Sequence, residues 1–176
     1  MASTMRFDNW QTTDGTSIAT TNASGDITFA GAVAGAGKIV QVVNATYSTQ
    51  TDTSSSTFVT TNLTANITPS SASSKVLVTA YVPFSVYDSS TRSGYARFEI
   101  NRDGTQVAET GNLGYNAGTS TGRRFSSAVT MVAVDTPAST SSLTYTINMR
   151  YEVSAAAVQA FYGNYPGYIV LMEVAS

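Results

Sequence analysis

Side chains able to do chemistry are few. Of 176 residues, 11 are Asp or Glu, 9 are Lys or Arg, and none is His or Cys. Without histidine or cysteine no Ser-His-Asp or Cys-His relay can be assembled. A histidine-based zinc or iron centre, including the cupin type, is excluded on the same ground. The absence of cysteine also excludes a small scaffold stapled by disulfides. Glu99 and Glu109 come nearest to a carboxylate pair. They flank Asp103-Gly104, the two-residue signal for a type I′ hairpin. The expected register sets Ile100 opposite Val107 and Phe98 opposite Glu109, which places the two acids on opposite faces. They read as solvated strand charges and make a poor acid-base dyad. Asp88, Asp103 and Asp135 lie in or beside turns, where aspartate bonds nearby backbone. GNLGYNAG lacks the strand-to-helix setting of a phosphate loop. No catalytic residue, metal ligand or cofactor is expected, and the chain reads as a non-enzyme.

Recognition chemistry is better represented. Tyr115 lies in one long loop, 110–124. Phe161, Tyr162, Tyr165 and Tyr168 lie in a second, together with Asn164 and Pro166. If both loops meet at one end of the fold, Tyr115, Tyr162, Asn164 and Tyr165 could form a platform for carbohydrate. Rings stack on sugar faces and amides bond hydroxyls. The alternative is that the tyrosines pack the loops or a subunit seam, their hydroxyls reaching backbone. Arg123-Arg124 could grip an acidic sugar or a neighbouring subunit, or could simply solvate a strand edge.

The elements that would position these residues are strands. In 58–67, Val59, Thr61, Leu63, Ala65 and Ile67 alternate with polar residues, the period of a half-buried strand. Pro69 and the serines after it mark a turn. From Lys75 a longer strand sets Val76, Val78, Ala80, Val82, Phe84 and Val86 on one face. Pro83 within it predicts an edge position or a bulge. Ile39–Tyr47, the hairpin Tyr95–Arg102 and Thr105–Glu109, and Phe125–Val134 continue the pattern. Leu143–Val153 alternates most cleanly, with Leu143, Tyr145, Ile147, Met149, Tyr151 and Val153 inward. One helical turn is expected near Ala155–Gln159. Tyr168–Val174 is apolar on both faces, which suits a central strand or a subunit contact. About eight strands in residues 37–176, with no amphipathic helix, predict an all-β antiparallel β-sandwich, jelly-roll-like, with an extended N-terminal arm.

Residues 1–36 read differently. Met5, Phe7 and Trp10 form a small apolar cluster in polar sequence. NASGDITF at 22–29 suggests one short strand, and AGAVAGAG at 30–37 reads as a linker. The segment is expected either to dock on a neighbouring subunit, with Phe7 and Trp10 as anchors, or to lie on its own domain.

Several of these stretches carry a resemblance. A Thr/Ser-rich strand, then TPSSASSK at 68–75, then a Val/Leu strand resembles a domain found in structural proteins of tailed bacteriophages. GKIVQVVNATYST at 37–49 resembles the strand that opens that domain, and GYIVLMEVAS at 167–176 its closing strand. The resemblance covers roughly 37–176 and brings no catalytic residue with it. It implies a virion location and a homotrimer.

Composition agrees with an assembled protein. Charged residues make up 11% of the chain and the formal net charge is −2. No electrostatic footprint for nucleic acid or an anionic membrane exists. The first residues lack the apolar segment of a signal peptide, and no run approaches a membrane span. The Asn-X-Ser/Thr sequences at Asn22, Asn44, Asn62 and Asn66 then reflect composition. Two readings follow. One is a capsid-decorating or cement protein held to the major capsid protein or another virion protein by its N-terminal arm. The other is a tail-fibre or receptor-binding tip that contacts a host glycan.

Overall fold

A computed structural model of the chain describes residues 9–11, 17–21, 27–29, 38–89, 91–152 and 157–175. The chain divides into two compact units, 1–36 and 37–176. In the first, β1 (Asn9–Gln11), β2 (Ser17–Thr21) and β3 (Ile27–Phe29) pair antiparallel in that order. The single strand expected at 22–29 is thus the last of three. Trp10 lies in β1, opposite Ala19. Phe7 lies outside the described residues.

Among its described residues the second unit is strand apart from turns, loops and one short 3-10 segment. Its elements are β4 (Ile39–Tyr47), β5 (Thr51–Thr53), β6 (Val59–Ile67), β7 (Lys75–Asp88), β8 (Gly94–Arg102), β9 (Thr105–Glu109) and β10 (Leu113–Tyr115). β11 (Arg123–Asp135), β12 (Leu143–Tyr151), β13 (Ala157–Ala160) and β14 (Gly167–Val174) complete it. One sheet runs β4–β14–β7–β11, with β5 and β13 continuing β4 and β14 along the upper half of β7. The other runs β6–β12–β8, with β9 and β10 side by side on the free edge of β8. Successive long strands alternate between the sheets, which is the interleaved Greek-key order of a jelly roll. The inward faces interdigitate. Phe84 of β7 meets Phe98 of β8 edge to face at 5.2 Å, joining the sheets. The inward residues of β6, β7 and β12 read from alternation are buried, apart from half-buried Val59. Val153 lies outside the described residues. Thr61 sits among the buried residues because its hydroxyl donates to the Ile147 carbonyl at 2.7 Å.

Local chemistry corrects several expectations. β7 is a central strand, flanked by β11 on one side and by β14 and β13 on the other. Pro83 is tolerated there because it falls where the partner changes, between the stretch paired to β14 and the stretch paired to β13. Its missing N–H would have had no partner on that side. Its carbonyl accepts the N–H of Phe161 at 2.7 Å. Residues 157–159 form strand β13, not a helical turn; the helical geometry falls later, as a 3-10 turn at Tyr162–Asn164.

The hairpin turns as expected, with φ of 47° at Asp103 and 88° at Gly104. A β-bulge then shifts its register, so Ile100 faces Ala108 and Glu99 faces Glu109 directly. The extra residue sits at Val107, which a plain two-residue hairpin would have set opposite Ile100. The two acids therefore share a face, and Glu99 is buried rather than solvated.

Candidate functional site: an apolar sheet face and a tyrosine groove

The outer faces of the two sheets differ in kind. On the β6–β12–β8 sheet the outward positions are polar. Thr60, Asn62, Thr64 and Asn66 are exposed on β6. Further across, Glu99 accepts a hydrogen bond from Asn148 at 2.8 Å. Arg97 pairs with Glu109 at 3.0 Å, and Arg150 bridges Glu109 at 3.3 Å and Glu152 at 3.0 Å. Hydrogen bonds from Gln106 and Arg97 hold the Glu109 carboxyl below its ordinary range. Three carboxylates thus approach one another, yet each is held by amide or guanidinium donors. Such a mesh fixes strand positions. Among the described residues no group of acids is placed to hold a metal ion.

The β4–β14–β7–β11 sheet has an apolar outer face. Its cross-strand registers set three rows of outward side chains. The first row is Val42, Met172, Leu77 and Val134. The second is Asn44, Val170, Thr79 and Val132. The third is Thr46, Tyr168, Tyr81 and Thr130. None of these carries a charge at neutral pH. Val42 is 56% exposed, Val132 62% and Val134 63%. β14, apolar on both sides in sequence, is accordingly central: one side feeds the core through Ile169 and Leu171, and the other faces outward.

At the end of the third row the face deepens into a groove of about 560 Å³. Its position follows from Pro83. β13 and β14 together make one interrupted strand, and the interruption, residues 161–166, leaves the sheet opposite the proline. Phe161 turns the chain with φ of 54° and buries its ring against Tyr47 at 5.2 Å. The excursion is tied at its base, where Gln50 N–H donates to Asn164 Oδ1 at 3.2 Å and Gly163 N–H to Gln50 Oε1 at 3.3 Å. Tyr162 and Tyr165 then line the groove with Tyr81, Tyr168, Pro166, Ser126 and Ser127. Tyr165 is 66% exposed.

Of the residues singled out for a platform, Tyr162 and Tyr165 come together here. Asn164 serves the loop base. Tyr115 lies apart: its hydroxyl donates to the Arg123 carbonyl at 3.2 Å, and the Arg123 guanidinium stacks on its ring at 4.6 Å. Arg124 points to the other face of β11, over Tyr162 at 4.5 Å and Tyr87 at 4.9 Å, and donates to Ser85 Oγ at 2.9 Å. The consecutive arginines thus sit on opposite sides of one strand, Arg123 engaged by Tyr115 and Arg124 by Tyr87 and the groove's Tyr162. Tyr81 had no signal in the sequence beyond being an outward position of β7. Only its register opposite Tyr168, with the rings 6.3 Å apart, reveals its part.

A second constellation is buried. Glu173 faces inward and has no solvent contact. One carboxylate oxygen accepts from Ser70 N–H at 2.8 Å and Ser70 Oγ at 2.6 Å; the other accepts from Gln41 Nε2 at 2.6 Å. Gln41 Nε2 also donates to the Thr68 carbonyl at 2.7 Å. Burial alone would push this carboxyl up, but the hydrogen bonds from Ser70, Gln41 and Ser74 outweigh it and hold it at about 2.

No family model matches the chain, and no curated protein matches it. Among solved structures it is similar to dimeric latent PorU from Porphyromonas gingivalis, at 11% identity and a TM-score of 0.40, over 82% of this chain and 14% of that one. It is also similar to the VP2 subviral particle of infectious bursal disease virus, at 17% identity and a TM-score of 0.33, over 77% of this chain and 38% of that one. The T13 particle of the same virus matches at 16% identity and a TM-score of 0.34, over 77% and 38%. The chain spans well under half the length of these solved chains. Likenesses this distant assign neither family nor function.

Proposed function

We propose that the chain is a non-enzymatic structural protein of a bacteriophage virion, a trimeric surface protein that decorates or cements the capsid. The observation that carries this reading is the apolar outer face of the β4–β14–β7–β11 sheet, whose three rows hold no charged side chain and leave Lys75 and Arg124 at the two ends. Exposed apolar patches of this extent mark contact surfaces. The other sheet supplies the contrast, because its outer face is polar and internally paired. The resemblance of 37–49, 68–75 and 167–176 to tailed-phage structural proteins supports the virion setting. In this reading residues 1–36 dock on the major capsid protein or another virion protein. Many copies bury surface across capsomer joints and raise the cost of separating them. No cofactor, nucleic acid or membrane insertion enters.

The groove favours a second reading, a tail-fibre or receptor-binding tip. Four tyrosines and two serines, with Arg124 stacked on Tyr162, suit a host glycan. Copy number per virion separates the two. Quantitative mass spectrometry against the major capsid protein should find hundreds of copies. A few tens or fewer would move the protein to the tail or a vertex and make glycan binding at Tyr162 and Tyr165 the leading reading.

A further inference from the structure

We infer that the tyrosine groove takes an acidic saccharide and that Arg124 holds its carboxylate. This rests on the glycan reading of the groove and names the class of sugar. The arginines of the domain differ in their partners. Arg97, Arg102 and Arg150 are each paired to a carboxylate. Arg124 is exposed, and among the described residues no carboxylate pairs with it. It is nevertheless held in place. Its guanidinium lies over Tyr162 at 4.5 Å and over Tyr87 at 4.9 Å. Its Nη1 donates to Ser85 Oγ at 2.9 Å and to Gln159 Oε1. Gln159 is turned for this by its own amide nitrogen, which donates to Asp52 Oδ2 at 3.4 Å. Nη1 thus uses both its hydrogens on the protein. Nε and Nη2 meet no protein acceptor among the described residues. Those two nitrogens make the side-on edge of the guanidinium, which grips a carboxylate through two parallel hydrogen bonds.

The groove supplies the contacts for the rest of the ligand. Tyr162 belongs to both parts, since its ring lines the groove and carries the guanidinium. Ser126 lies two residues along β11 from Arg124, on the same side of the strand, and lines the groove as well. Tyr165, Tyr168 and Tyr81 add flat rings, and the volume of about 560 Å³ falls within the range of small-molecule sites. Rings with hydroxyls beside them match the C–H faces and hydroxyl edges of a pyranose, so the occupant is a sugar acid and not a bare anion. The guanidinium is ordered before the ligand arrives, so little side-chain freedom is lost on binding.

Saturation-transfer NMR and titration of the full chain test this with matched probes: trigalacturonate, trimannuronate and N-acetylneuraminate, each beside its own methyl ester. At least one acid should bind about tenfold or more tighter than its ester at low salt, and should lose most of that advantage in 1 M sodium chloride. Arg124→Gln should bring the acid down to the level of the ester. Arg124→Lys, which keeps the charge without the fork, should restore only part. Tyr165→Ala, at an exposed position, should weaken acid and ester alike. Acid and ester binding equally overturns the inference and leaves the glycan reading standing. So does Arg124→Gln weakening both forms by the same factor, which would make Arg124 a prop for the 161–166 loop. A triglutamate peptide that binds as tightly as the sugar acids would also overturn it, because the groove would then read charge and not sugar. If no probe binds in either form, the inference and the glycan reading fall together.

Discussion

Glu173 sits in the apolar run IVLMEVA, and its neighbours in sequence give no hint of why a full charge occupies an inward position. Its partners explain it. Ser70 belongs to TPSSASSK, Gln41 to GKIVQVVNATYST and Glu173 to GYIVLMEVAS. These are the three stretches that carry the family resemblance, and one carboxylate ties them together. Glu173→Gln would keep the shape but present an amide N–H₂ to donors that need an acceptor. We expect a loss of about 1–3 kcal/mol, read as a lower melting temperature with an unchanged far-UV spectrum. The pH dependence follows from the same group. Its folded carboxyl titrates at about 2, below the ordinary 4.5. The unfolded chain therefore takes up a proton first as pH falls. The stabilisation is complete above roughly pH 5 and is lost progressively between about 4.5 and 2. Urea unfolding at stepped pH should show this slope in the parent and a shallower one in Glu173→Gln. Equal slopes would mean that the carboxylate is not the group responsible. None of this was readable from composition or alternation, because the bonds join residues 103 and 132 positions apart.

At the scale of elements, most of the fold is readable from period-two alternation. β4, β6, β7, β8 and β12 begin and end within a residue or two of where apolar alternation starts and stops. What alternation cannot see is a change of count. The bulge at Val107 inserts one residue into β9, and that single residue moves Glu109 from opposite Phe98 to opposite Glu99. Pro83 is the converse case. Its cost depends on what lies beside it, and the strand beside it breaks at that level. The turn that starts the hairpin is readable because its residue types are forced. Gly104 has φ of 88° with open space around it, so an added methyl would meet no atom and the cost is conformational alone. Gly104→Ala should destabilise by about 1 kcal/mol. Gly111→Ala, also in open space and without a positive φ, should be neutral or slightly stabilising. Chemical denaturation of both variants checks the pair. Equal effects would show that the hairpin does not hold this turn in solution.

At the scale of the whole molecule, the question is why one sheet turns polar side chains outward and the other does not. Alternation read from β14 alone leaves two answers, a central strand or a subunit contact, and the structure shows the first. The strand's outer face joins β4, β7 and β11 in a largely apolar surface. Tyr81 and Tyr168 belong to that surface and to the groove at its end. Burying the third row against another copy would narrow the groove, so self-association and glycan binding draw on shared side chains. Salt dependence tells such self-association apart from a charge-driven contact. The charges on that side, Lys75 and Arg124, stand at its two ends, and with a net charge of only −2 the three rows themselves offer little for salt to screen. Self-association measured by sedimentation equilibrium should change less than about threefold between 0.05 and 1 M sodium chloride, and should tighten in sodium sulfate, which strengthens apolar burial. A loss of association of tenfold or more with rising chloride would mean that ion pairs outside this face hold the copies together, and the apolar sheet would then be free for a different partner.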